Sequence, residues 1–178
     1  METMKVQLRR EVYSSDAWKI IGWMEDGEVT RYLNEYKHIS DSIKQVVSRV
    51  NLPVLTHLFN NNGSFFIVCM GDAPIGFLRL VPKQAGAEMV IVIGDKEKWG
   101  KGLGSGAILQ GLKHAFFEWR VSKVIANIKN TNERSINAFK KLGFRYEKEL
   151  PGGVQYSLSM DQFLNHGILS FASDQDYS

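Results

Sequence analysis

The segment Lys98-Trp99-Gly100-Lys101-Gly102-Leu103-Gly104-Ser105-Gly106 constrains this chain more than any other, because it joins two stretches of different periodicity. Before it, Glu88 to Ile93 is an almost unbroken apolar run, as expected of a strand covered on both faces. After it, Leu103, Ala107, Ile108, Leu112, Ala115, Phe116 and Trp119 recur at helical spacing. Glycine inside a helix costs ~1 kcal/mol per position, so the alternating glycines mark a loop at the helix start. Strand, glycine loop and amphipathic helix together require a fold in which a helix N-terminus stands at the end of a buried strand. The first N–H groups of that helix lack partners, and the helix dipole makes this end positive. Glycines allow several N–H groups to converge on one anion, and a phosphate or pyrophosphate fits that role. A glycine-rich turn with a purely structural role is the plainer alternative.

Two familiar phosphate motifs fail on spacing. A dinucleotide fingerprint beginning at Gly100 needs glycine where Ser105 stands. A P-loop needs four residues between its first glycine and Gly-Lys, but Gly94 and Gly100 are separated by five.

The rest of the chain fits a mixed α/β (α+β) architecture. Lys5 to Val12 alternates with period two and reads as a strand. Ser14-Ser15-Asp16 caps a helix to about Met24, with Trp18, Ile21 and Trp23 expected on its buried side. Helical pieces follow at Val29–Leu33 and from Ser40 or Asp41 through Val50, before Pro53. Ser64–Met70 and Pro74–Leu80 form a hairpin around Gly71-Asp72, and Glu88–Ile93 is the next strand. Beyond the helix after the loop come a strand at Val121–Ile128 and a helix at Ser135–Leu142 that Gly143 ends. A closing hairpin spans Phe144–Leu150 and Val154–Met160. The sheet is therefore mixed and mostly antiparallel, with about six or seven strands and helices on both faces. Residues 1–165 read as a single domain and 166–178 as a polar tail.

Trp99-Gly100-Lys101-Gly102-Leu103-Gly104 resembles the pyrophosphate loop, Q/R-x-x-G-x-G/A, of the GNAT superfamily of acetyl-coenzyme A-dependent N-acetyltransferases. Trp99 stands where Gln or Arg is usual, as in the branch that acetylates N-terminal amines of ribosomal proteins. Asn132-Glu133-Arg134-Ser135 followed by Phe139-Lys140-Lys141-Leu142-Gly143-Phe144 is similar to a second motif of the same family. The resemblance spans residues 4–160 and is strongest over 86–148.

The resemblance implies acetyl-coenzyme A as cosubstrate, held by Val92, Ile93, Gly94, Trp99, Gly100, Lys101, Gly102, Leu103, Gly104, Ser105, Asn132 and Phe139. It implies that the strand at 90–94 splays from Val121–Ile128, so that its free backbone groups pair with pantetheine and polarise the thioester. Glu88, 11 residues before Trp99, is the implied general base for a primary amine attacking directly in a ternary complex. Trp23, Tyr32 and Tyr36 are implied to line the acceptor pocket. A tyrosine that protonates the leaving thiolate in many members is replaced by Phe139. The acceptor is a protein N-terminus or a small-molecule amine. Glu25, Asp26, Glu28, Glu35 and Asp41 form a modest acidic set that slightly favours a cationic one. A non-catalytic acyl-coenzyme A sensor is the alternative, and a homodimer is a common assembly in the family.

Composition closes other routes. Net charge is +3, from 22 Lys+Arg against 19 Asp+Glu, with no basic cluster, so a nucleic-acid partner is not expected. The longest apolar run, Phe65–Met70, is far below the ~20 residues that span a bilayer. The four histidines and Cys69 show no metal-ligand spacing, and Cys69 reads as a core residue. No leader is expected before Arg10, and the lone cysteine fits a cytoplasmic setting.

Overall fold

A computed structural model describes residues 5–33 and 39–166. Seven strands form one open sheet: β1 (Val6–Arg9), β2 (Ser64–Met70), β3 (Ala73–Lys83), β4 (Gly86–Ile93), β5 (Lys123–Lys129), β6 (Arg145–Leu150) and β7 (Gly153–Ser159). Their order is β1-β2-β3-β4-β5-β7-β6. Five of the six pairings are antiparallel, and β4–β5 is parallel. The expected mixed, mostly antiparallel sheet is what forms.

The parallel pairing is short. Ala87 stands beside Val124 and Glu88 beside Ile125, and no further register pair joins the two strands. Beyond those positions β4 and β5 part, each held from its outer side. Strand β3 pairs with β4 as far as Ile93, and β7 pairs with β5 over its whole length. The splay expected at the centre of the sheet is therefore present.

Two apolar layers cover the sheet. Helix α5 (Leu103–Lys113) lies on the rear face with α6 (Glu133–Lys141) beside it. Leu78, Leu80, Met89, Val124, Ala126 and Leu158 pack there against Ile108, Leu112 and Phe116. On the front, α1 (Ser14–Glu25) and α2 (Gly27–Thr30) cover Phe65, Ile67, Cys69, Phe77 and Val92 through Ile20, Met24 and Val29. Helices α3 (Ile39–Arg49) and α4 (Thr56–Phe59) complete this side. The period-two alternation thus sends Ala87, Met89, Ile91 and Ile93 rearward, and Glu88, Val90 and Val92 forward.

Several local expectations are corrected. Trp18 is 52 % exposed, because Ala17, Ile20, Ile21 and Met24 form the buried stripe of α1. Tyr13, not a serine, is the N-cap residue of α1. Asp16, almost fully buried, accepts the Tyr13 backbone N–H and both ends of the Arg9 guanidinium. The first strand ends at Arg9, and α2 starts and stops earlier than expected. Helix α4 fills the stretch before Asn60, and α5 runs into a π-helical turn at His114–Glu118. A final helical turn spans 160–166. The polar tail beyond 166 lies outside the described residues.

Candidate active site

The parting of β4 and β5 opens a cleft of about 370 Å³ at the end of β4. One wall is β4 itself, through Ile91, Val92 and Ile93. The mouth is the glycine loop, and the opposite wall is the start of α6, with Asn132, Arg134, Ser135 and Ala138. Val29, Tyr32 and Leu33 border it in front. Because β5 leaves β4 after Glu88, the β5-facing backbone groups of the 89–93 stretch have no strand partner on that side.

The loop takes its shape from two glycines in the left-handed region, Gly100 at φ +74° and Gly102 at φ +73°. Other side chains are strained there. Gly102 is also the N-cap residue of α5, so the helix starts immediately after the turn. The amides of Leu103, Gly104 and Ser105 therefore have no acceptor in a preceding turn. A Cβ at 100, 102 or 104 would meet nothing within 4 Å, so the space in front of these peptides is open. Helix amides without intrahelical acceptors, a positive helix end and the lining lysines at 98 and 141 suit a polyanion.

Trp99 folds back over the end of β4, its indole N–H donating to the Ile93 carbonyl at 2.8 Å. The Arg134 guanidinium lies 3.6 Å from the centre of that ring. This pair ties the loop to α6 across the cleft. Burial pushes the Arg134 ionisation below its ordinary value, with Tyr32 opposing. The sequence motif treats position 134 as variable, so no spacing rule singles it out. Asn132 caps α6, its side-chain oxygen accepting the Ser135 N–H at 3.2 Å, which leaves its amide N–H₂ for a guest.

The structure brings together Val92, Ile93, Trp99, Gly100, Gly102, Leu103, Gly104, Ser105, Asn132 and Tyr32 on this one cleft. Other expected site residues stand elsewhere. Lys101 is exposed outside the lining. Phe139 is buried in the rear core, edge-on to Phe144 at 4.9 Å. Gly94 lies under Trp23, whose ring is 2.2 Å from where a Cβ would be, and the two border a shallow groove with Lys96 outside the cleft. Trp23 thus packs against the end of β4, outside the cleft. Tyr36 lies outside the described residues. Glu88 sits at the foot of the splay, three residues before Ile91, the nearest lining residue of β4, and projects forward. It pairs with Lys83 at 3.1 Å and accepts from the Asn127 amide at 3.3 Å.

A strand-flanked split with a left-handed glycine turn beneath a helix N-terminus has a counterpart in sequence. Residues 7–145 match the family described as Acetyltransferase (GNAT) domain. The chain belongs to the GNAT acetyltransferase family. No curated protein matches it by sequence. Solved structures share the GNAT fold at low identity. Spermidine N-acetyltransferase from Vibrio cholerae, in complex with CoA and spermine, superposes with a TM-score of 0.73 at 18% identity, covering 92% of this chain and 100% of that one. AAC(6')-Ib in complex with Parmomycin and AcetylCoA gives 0.73 at 15%, covering 90% and 96%. Mycobacterium smegmatis RimJ in complex with CoA-disulfide gives 0.68 at 17%, covering 93% and 88%. Among the described residues no helix is long and apolar enough to cross a membrane, and no group of three or more His, Cys, Asp or Glu is placed to hold a metal.

Proposed function

We propose that this chain is an acetyl-coenzyme A-dependent N-acetyltransferase that passes an acetyl group to a primary amine by direct attack in a ternary complex. One observation carries the reading. The β4–β5 split is bordered at its mouth by a left-handed glycine turn at the N-terminus of α5, with open space around its glycines. Acetyl-coenzyme A supplies the activated acyl group when bound. The loop amides and Lys98 hold its pyrophosphate. The unpaired edge of β4 over 89–93 receives the pantetheine arm as an added strand, with Asn132 opposite. A β4 N–H facing the split polarises the thioester carbonyl as charge builds on its oxygen. Glu88 takes the proton from the attacking amine, directly or through one water. Its contacts with Lys83 and Asn127 orient the carboxylate. The thiol leaves as thiolate, because Phe139 has no proton to give and a thiol near pKa ~8.5 is a tolerable leaving group. Residues 1–165 serve as one catalytic unit in this reading, in a cytoplasmic setting.

Glu88→Gln tests the base. Acetylation of a good acceptor, followed by thiol release, should fall about 10²–10⁴-fold at neutral pH while calorimetric affinity for coenzyme A stays unchanged. Undiminished turnover would remove Glu88 from the mechanism. The second reading, a non-catalytic acyl-coenzyme A sensor, is favoured by the buried Phe139 at the tyrosine position. It predicts tight coenzyme binding with no turnover of any amine.

A further inference from the structure

We propose that the amine accepted here is a small molecule carrying an anionic group, a carboxylate or phosphate, a few bonds from its nitrogen, and that Arg79 binds that group. This inference rests on the acetyltransferase reading and names the acceptor class for the same site.

The acceptor can reach the split only from the front. The rear is filled by α5, α6 and the core they share with Met89, Val124 and Ala126. The front face around the foot of the split is basic. Arg79, Lys83 and Lys123 project there by strand alternation, with Lys129 on the same face at the far end of β5, against the carboxylates of Glu88 and Glu147.

Neither carboxylate is spare. Glu88 pairs with Lys83 at 3.1 Å. Glu147 takes Lys123 and the Gln155 amide at 2.5 Å each, and Lys123 first, then Gln155, hold its ionisation below the usual carboxylate range. The acidic residues of α1 and α2 are also engaged. Glu25 pairs with Lys44, while Asp26 and Glu28 share Lys96 beside the Trp23 groove, away from the cleft. The acidic set that favoured a cationic acceptor in sequence is therefore neutralised in the fold, apart from Glu35, outside the described residues, and Asp41, exposed on α3. At the foot of the split a polyamine would meet only Glu88 and Glu147, both already paired.

Arg79 has the opposite character. It stands mid-sheet between Phe65 on β2 and Val90 on β4, half-buried, on the face that carries Phe77 and Glu88. Among the described residues it has neither an ion pair nor a hydrogen bond, since Glu88 turns to Lys83 instead. A half-buried guanidinium with apolar cross-strand neighbours and no anion attracts one strongly. Val90 is its direct partner on β4, and adjacent strands lie ~4.8 Å apart. Glu88 is the diagonal neighbour of Arg79, two residues from Val90 on the same face, so an anion on Arg79 sits ~7–8 Å from an amine beside Glu88, a gap that a few bonds span. Lys129 favours a small guest. It bridges β5 to the carbonyls of Arg31 and Leu33, at 3.4 Å each, narrowing the front entrance.

The test is a matched acceptor panel with saturating acetyl-coenzyme A, read by thiol release: phosphoethanolamine against ethanolamine, glucosamine 6-phosphate against glucosamine, β-alanine against propylamine, with spermidine, kanamycin and an N-terminal peptide alongside. The anionic member of at least one pair should lead in kcat/KM by about 10-fold or more, and the winning pair separates phosphate from carboxylate. Arg79→Met keeps the apolar stem. It should raise KM for the anionic acceptor about 10–100-fold, with little change in kcat or in the uncharged partner's kinetics. Arg79→Lys should restore part of the loss. Preference for spermidine, kanamycin or the peptide, or equal losses for both members of a pair, would overturn the proposal. A parallel measurement separates the two readings: thermal protection of the coenzyme A complex by the same amines. Protection by the anionic member, lost in Arg79→Met but without turnover, would sustain the anion site and sink the transferase reading. Turnover without anion preference would do the reverse.

Discussion

His114 shows how one residue carries a pH dependence far from the cleft. It opens the π-helical turn on the rear of the molecule, edge-on to Phe66 at 4.8 Å, with Nδ1 3.2 Å from Glu118. Burial pushes its ionisation below the ordinary histidine value. Glu118 pulls the other way, and Arg10 adds to the effect of burial. An unfolded imidazole takes a proton near pH ~6.5. Below that pH the unfolded chain binds more protons than the folded one, so stability falls as the solution is acidified from about 6.5. Above it this contribution is fully present. His114→Gln should flatten the decline in urea midpoint between pH 7 and pH 5.5. Equal slopes in the two proteins would show that His114 titrates alike folded and unfolded. None of this is legible in the sequence. The partners Phe66 and Arg10 are remote along the chain, and a 3.6-residue periodicity passes through a π turn without a visible break. Arg79 and Arg134 were missed for the same reason, since their meaning comes from neighbours on other elements. Gly100 and Gly102 were legible because a left-handed turn demands glycine itself.

At the scale of elements, the glycine turn is the part most sensitive to substitution. Gly102→Val places a β-branched residue at φ +73°, a strain of about 1–2 kcal/mol. For a chain of this size that lowers Tm by several degrees. The turn also aims the first amides of α5, so affinity for coenzyme A should drop about 10-fold or more in calorimetric titration. Gly71→Val provides the control. Gly71 has φ +60° in the β2–β3 turn, with open space around it and no part in the cleft. It should show a similar loss of Tm and unchanged affinity. Strands and long helices were readable because each carries its own period. Helix α1 lies where the sequence places it, with Ile21 buried and Trp23 against the front core as expected, but Trp18 faces solvent while Ala17 and Ile20 are buried. Large size favours burial, but which stripe of a helix is covered depends on the neighbours it packs against, and these are remote along the chain. Helix α4 was missed because four residues are too few to display a period.

The whole molecule is a sheet joined at its centre by two register pairs, Ala87–Val124 and Glu88–Ile125. Order on either side is supplied by neighbours, β3 for one half and β7 for the other. A guest that pairs along β4 and rests on α6 should join the halves. Acetyl-coenzyme A at ~100 times its Kd should add ~2.7 kcal/mol to stability. Backbone amides across 89–93 should exchange more slowly in its presence, together with those of 103–105. Protection confined to the loop would mean that the arm does not lie along β4. The divergence of the strands entered the sequence reading through resemblance, because the spacing of Glu88, Trp99 and Asn132 carries no information about where two strands cease to pair.

That short pairing has a consequence for how the protein tolerates change. Every peptide unit offers the same N–H and C=O whatever side chain it bears, so exchanging one residue within 89–93 leaves the groups that line the split in place. Adding or deleting one residue there turns each of them to the opposite edge of the strand and each side chain to the opposite face. The cleft is thus indifferent to spelling and intolerant of altered length. The front face, read through side chains such as Arg79, is free to be rewritten one letter at a time.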